Sequence, residues 1–143
     1  MKVTILEGAP IDMTDFVKRS EYATAHMIDG HRTLAFCLSM SSHYWIGMAD
    51  DAIACTWGLI PPTLLSDQAY LWMVVTSLVR EHPFIFVRHS QREVEKMLKH
   101  YSTIVGHCEC HNEEARRWVK WLGAKFGEPQ GTRVPFVIRR KHG

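Results

Sequence analysis

The stretch Asn112-Glu113-Glu114-Ala115-Arg116-Arg117-Trp118-Val119-Lys120-Trp121-Leu122-Gly123-Ala124 decides how the rest of the chain is read. Asn112 carries the short acceptor side chain that caps a helix. Glu113 and Glu114 follow in the first turn, where the positive end of the helix dipole favours acids. Ala115, Trp118, Val119 and Leu122 recur at helical spacing as one apolar stripe. Gly123 then permits a left-handed exit. The pattern predicts a short capped helix lying on a sheet.

Working outward, Thr103–Cys108 and Val134–Arg140 read as the strands that flank this helix. Before them lies the longest helix, with Pro83 in its first turn and Phe84, Val87, Val94, Leu98 and Tyr101 as its apolar stripe. Ala69–Thr76 is apolar on both faces, which predicts a central strand covered on both sides. Tyr44–Ala49 and Ile53–Leu59 flank Asp50-Asp51, the polar break expected between hairpin strands. Pro61-Pro62 ends the second of them. Upstream, Val3–Leu6 reads as a strand, Thr14 to Ile28 as a helix ending before Gly30, and His31 to Ser42 as a shorter helix carrying Leu34, Phe36, Leu38 and Met40. The order β α α β β β α β α β predicts an α/β fold with a mixed sheet.

Length and composition are consistent with one domain spanning residues 1–143. The chain has 46% hydrophobic and 22% charged residues, a balance that disordered chains do not show. A net charge of +2 is too balanced to argue for nucleic-acid binding on charge alone, although Arg116, Arg117, Lys120 and Lys125, and Arg133, Arg139, Arg140 and Lys141, form two basic clusters. Such a patch suits phosphate, an acidic partner or plain solvent. Four cysteines in a chain of this length make no disulfide framework, and the N-terminus lacks the apolar core of a signal peptide. A reducing compartment is expected. The most apolar run, Ala69 to Val79, is about half of what a membrane-spanning helix needs.

The order of elements and the capped late helix together resemble the Gcn5-related N-acetyltransferase (GNAT) superfamily, over about Ala69 to Arg140 at the residue level and by element order before that. The resemblance implies the GNAT fold and acetyl-CoA as cofactor. Backbone groups of Val74, Val75 and Thr76 would grip the pantetheine arm, Arg80 and Arg88 would hold phosphate, and Asn112 would lie near the CoA. Two departures stand out. Family members seat the pyrophosphate on a glycine-rich loop before the long helix, whereas Ser77–Phe86 contains no glycine and Pro83 removes an amide donor. Many members also carry a Tyr that protonates the leaving thiolate where this chain has Val119. More narrowly, the Trp-rich strands, the glycine-free loop and the Leu122-Gly123-Ala124-Lys125-Phe126 exit resemble the GNAT-like internal virion protein A family of podophages. That implies a phage protein of the virion or host cytoplasm, working through virion or host protein partners with catalysis reduced. The alternative is an active N-acetyltransferase acting on an amine.

The string His107-Cys108-Glu109-Cys110-His111 invites a zinc reading. On a strand, however, His107, Glu109 and His111 face one way and Cys108 and Cys110 the other, so no metal is expected there. His107 and Glu109 are instead candidate general bases toward an amine, with rim residues of the sheet as the plainer alternative. Of five tryptophans, Trp45, Trp57, Trp72 and Trp118 read as core. Trp121, off the stripe beside Arg117 and Lys120, reads as a candidate interface anchor.

Overall fold

A computed structural model describes residues 2–11 and 30–141 of the chain. The helix expected over Thr14–Ile28 lies outside these residues. The described elements are strand β1 (Val3–Glu7), helix α1 (Gly30–Met40), strands β2 (His43–Ala49), β3 (Ala52–Ile60) and β4 (Gln68–Val75), and helices α2 (Ser77–Glu81) and α3 (Pro83–His100). Strand β5 (Thr103–Glu109), helix α4 (Glu113–Trp121) and strands β6 (Lys125–Phe126) and β7 (Arg133–Arg139) follow. The seven strands form a mixed sheet in the order β1-β2-β3-β4-β5-β7-β6. The α/β class holds. The expected order missed the short α2 and β6, each too brief to leave a periodic signal.

The residues divide into two compact units, one of 1–60 and 72–83, the other of 61–71 and 84–143, so that β4 contributes to both. In the first unit, β1, β2 and β3 form an antiparallel meander. The β2–β3 turn works because Asp50 adopts φ 52°, a left-handed conformation that Asp tolerates better than most residues. Its carboxylate accepts the Lys2 amide at 2.9 Å, and its own amide donates to the Lys2 carbonyl at 2.8 Å.

Trp45 and Trp57 sit opposite each other in the β2–β3 register and stack with ring centroids 6.2 Å apart. Trp72 is buried on β4, and its indole lies where a Cβ on Gly58 would come within 2.6 Å of Nε1. Trp72 Nε1 donates to Ser41 Oγ at 2.7 Å, whereas Trp57 Nε1 is buried with no partner among the described residues. On α1 the inward face is Leu34, Cys37 and Leu38, while Phe36 and Met40 are exposed. The alternating set read from the sequence was a strand spacing imposed on a helix. Burial raises the Cys37 thiol pKa, which lowers its share of reactive thiolate.

In the second unit the buried residues of α3 are Phe86, Glu93, Val94 and Met97, and Tyr101 is buried just beyond the helix end. Phe84 is 85% exposed, which corrects the expected stripe: Val94 and Tyr101 belong to it, Phe84 does not, and Phe86 takes the inward position. Glu93 is buried yet paired, its carboxylate 2.9 Å from Lys96 Nζ. Strand β5 alternates half-buried and buried residues throughout, and it pairs antiparallel with β7 from Thr103↔Arg139 to Glu109↔Arg133.

At the centre of that ladder Gly106 faces Phe136, and a Cβ added at Gly106 would stand 2.4 Å from the Phe136 ring. The glycine is there because the ring lies across it. Gly106→Ala is therefore expected to destabilise the protein by about 1–3 kcal/mol, the cost of overpacking a filled core, read as a lower urea midpoint with an unchanged slope.

Candidate functional site

The residues that the resemblance implies for a CoA group divide between the two units. In the first, Val74 and Thr76 are buried and Val75 is half-buried. Thr76 caps the start of α2 in extended conformation, and both its amide and its hydroxyl donate to the Ala54 carbonyl at 2.8 Å. Downstream, the Val79 amide donates to Thr76 O and the His82 amide to Leu78 O, each at 3.2 Å. Helix α2 thus fills the segment where a glycine-rich loop would leave its amides free.

Helix α3 then begins at Pro83, which has no N–H to offer. A pyrophosphate needs several unspent amides converging on its oxygens. Thr76, Val79 and His82 have spent theirs within the unit, and Pro83 has none. Those three amides are therefore unavailable to a pyrophosphate in this segment. Arg80, in the last turn of α2, and Arg88, on α3, are both exposed, each on its own unit.

The second unit brings together a different set. Strands β4 and β5 pair in parallel over three residues, Gln68↔Thr103, Ala69↔Ile104 and Tyr70↔Val105. Their start is fixed by Asp67, whose carboxylate accepts both the amide and the hydroxyl of Ser102 and whose carbonyl accepts the Thr103 amide at 3.3 Å. Those bonds hold the Asp67 carboxyl below the usual range, with a smaller contribution from the Arg140 charge. With this register, His107 lies two residues beyond the partner of Tyr70. Its Nδ1 is 3.4 Å from the Tyr70 hydroxyl, and the rings are tilted with centroids 5.7 Å apart. Arg133 Nη2 donates to the same hydroxyl at 3.2 Å.

Burial, and then the Arg133 charge, push the His107 pKa below its ordinary value, so the imidazole is neutral near pH 7. In the tautomer that carries its proton on Nδ1, Nε2 keeps a lone pair and can accept a proton; in the other, Nδ1 accepts from the Tyr70 hydroxyl. Tyr70 and Arg133 escaped the sequence reading as site residues. Tyr70 sat in an apolar run and Arg133 in a basic cluster, and only the β4–β5–β7 register joins them to His107.

The remaining candidates fall elsewhere. Glu109 is half-buried, opposite Arg133 in the ladder. The strand ends at Glu109, so the alternation expected through His111 stops there; Cys110 and His111 lie in the following turn. Cys108 is buried, and desolvation raises its thiol pKa. The side chain of Asn112 accepts the Ala115 amide at 3.1 Å, as expected of a cap, and a ligand at that oxygen would compete with the cap. Ala115, Trp118, Val119 and Leu122 are half-buried, with Trp118 Nε1 donating to Ser90 Oγ at 2.8 Å; Trp121 is 53% exposed. Among the described residues no helix is long and apolar enough to cross a membrane.

The chain is similar in fold to several solved acetyltransferases. A Bacillus subtilis acetyltransferase in complex with CoA superposes with a TM-score of 0.72 at 10% identity, over 98% of this chain and 100% of the other. The ribosomal-protein-S18-alanine N-acetyltransferase from Escherichia coli gives 0.71 at 13% identity, over 99% and 96%. A GNAT family acetyltransferase from Elizabethkingia anophelis with acetyl-CoA bound gives 0.70 at 10% identity, over 96% and 98%. No family model matches the sequence, and no curated protein matches it. At these identities the likeness is one of fold, and the fold is that of the GNAT acetyltransferases.

The His107 environment has a measurable signature. Its imidazole is expected to titrate below the ordinary histidine value, about 6.5, in a two-dimensional NMR titration, and Arg133→Met to move it upward by removing a repelling charge. Because the folded state disfavours the protonated ring, His107 stabilises fully above the unfolded-state value. That contribution is lost as pH falls below it toward the depressed folded value. A His107→Gln variant would then show a shallower loss of stability on acidification.

Proposed function

We propose that this chain is a GNAT-fold protein that works by protein interaction, as an internal or assembly component of a phage particle, with catalysis reduced. The observation that carries this reading is the glycine-free phosphate segment, in which three amides are already bonded. Helix α2 and Pro83 occupy the segment where acetyl-CoA-binding members of the fold present free amides, and the amides of Thr76, Val79 and His82 are bonded within their own unit. Support comes also from the late helix, whose cap, stripe and Leu122-Gly123-Ala124 exit keep the scaffold of the fold while Val119 stands in the place of the Tyr acid. The resemblance to the podophage internal virion protein A family supplies the assembly context and a virion or host-cytoplasm location.

A second reading, N-acetyl transfer from acetyl-CoA to an amine, is favoured by one observation: His107 stands against the Tyr70 hydroxyl, which Arg133 also binds, and burial lowers its pKa. In that reading His107 would take the proton of the attacking amine, and the acyl donor would have to be held without a backbone phosphate cradle.

Thermal melting separates the two. A ligand at a hundredfold excess over its dissociation constant adds about 2.7 kcal/mol, a shift of several degrees for a domain of this size. On the leading reading, millimolar acetyl-CoA leaves the melting temperature unchanged. A clear upward shift would establish the cofactor and favour transfer. On the assembly side, phage lacking the protein is expected to yield fewer infectious particles, and normal yields would overturn the leading reading.

A further inference from the structure

One end of the second unit brings together groups that none of the chemistry above uses. Strands β4 and β5 begin there side by side, with Gln68 opposite Thr103, and β7 ends there, with Arg139 opposite Thr103. Helix α3 finishes at the same place: His100 closes it two residues before Ser102, and Arg140 Nε donates to the Leu98 carbonyl at 2.7 Å. His107 lies toward the other end of the β5–β7 ladder, which closes at Glu109↔Arg133. The two places are separate.

The chain enters this end through the turn Thr63-Leu64-Leu65-Ser66, which is well bonded. The Ser66 amide donates to the Thr63 carbonyl at 3.2 Å. The Ser66 hydroxyl donates to the Gln68 carbonyl at 3.0 Å and accepts the Gln68 amide at 3.1 Å. Asp67, next along, is clamped to Ser102 and Thr103. Yet the two central residues of this ordered turn face solvent, Leu64 at 100% and Leu65 at 97% exposure. A single exposed leucine is ordinary, whereas an adjacent pair presented on a fixed turn marks a contact surface. No charged residue falls between Pro61 and Ser66, so the tip is apolar and uncharged.

Four exposed cations share this end: Lys99 in the last turn of α3, Arg139 at the end of β7, and Arg140 and Lys141 just beyond it. They do not share a face. Ile138 is buried, so Arg139, the next residue on the strand, projects to the opposite side, while Arg140 reaches back to α3. Asp67 gives its carboxylate to the amide and hydroxyl of Ser102 and lies within electrostatic reach of Arg140. Glu95 stands one turn back from Lys99 on α3. Arg139 and Lys141 therefore supply most of the field.

We propose that this end of the unit docks on an anionic phospholipid surface, with the Leu64–Leu65 turn set into the boundary between headgroups and acyl chains and Arg139 and Lys141 against lipid phosphates. The layout names the occupant. A peptide groove needs its charges and its apolar floor on one face, whereas these cations share only an end with the uncharged turn. A plane of negative charge over an apolar interior meets both at once. Lasting attachment to a membrane takes two signals, apolar insertion and basic charge, since either by itself is marginal. Both stand here on one end of the fold. The turn lies in the interface and does not span it. This inference goes beyond the assembly reading and does not depend on it.

The test is co-sedimentation of the full chain with vesicles, either of phosphatidylcholine alone or of phosphatidylcholine and phosphatidylglycerol in equal parts. The chain is expected to sediment with the anionic vesicles at low salt, far less with the neutral ones, and less as added salt screens the phosphates. The variant L64S/L65S, both of whose positions are exposed, is expected to keep the wild-type melting temperature and bind anionic vesicles at least about tenfold more weakly. The variant R139E/K141E, also exposed at both positions, is expected to keep its melting temperature and lose the preference for anionic vesicles.

No sedimentation with anionic vesicles at low salt would overturn the proposal. Undiminished binding by folded L64S/L65S would overturn it as well, because the turn would then be outside the contact. Polyglutamate provides the remaining comparison. If it displaces the chain from the vesicles at equal total charge, the end is a site for an acidic protein and the lipid assignment fails. If the chain stays on the vesicles, the leucines are holding it in the bilayer surface, as proposed.

Discussion

The second unit depends on where two parallel strands begin. Parallel strands have no tight turn to fix their register, so something at the ends must do it. Asp67 does so, receiving the amide and hydroxyl of Ser102 on its carboxylate and the Thr103 amide on its carbonyl. One residue of slip would turn every side chain of β5 to the other face. His107 would leave Tyr70, and Gly106 would no longer lie under the Phe136 ring. The candidate base, the filled core and the β7 ladder that places Arg133 all follow from this one clamp between two loop residues.

Much of this was legible from residue order. The Asn112 cap, the acidic first turn, the half-buried stripe and the Gly123 exit with φ 102° are local features, and local features are written in local sequence. The apolar run of β4 and the polar turn at Asp50 were equally plain. The stripe of α3 was read with the wrong first member, because Phe84 is apolar yet exposed and nothing in its neighbours says so. The closed phosphate segment was half legible: the missing glycine and Pro83 were visible, while the short helix that takes up the amides was not.

What sequence does not carry is register. Tyr70, His107 and Arg133 lie on three strands, separated by tens of residues, and no spacing rule joins them. A fold shared with acetyltransferases at 10–13% identity shows how far a scaffold can keep its form while residue chemistry changes.

The placement of the indoles gives the two units separate optical voices. Trp45, Trp57 and Trp72 belong to the first unit and are buried, so their emission is that of indoles screened from water. Trp118 and Trp121 belong to the second, the former half-buried and the latter 53% exposed, and Trp121 is open to a collisional quencher. Selective quenching by iodide would silence part of the second unit's signal and leave the first nearly intact. Each unit thereby carries its own built-in reporter, and changes within it can be watched without any added dye.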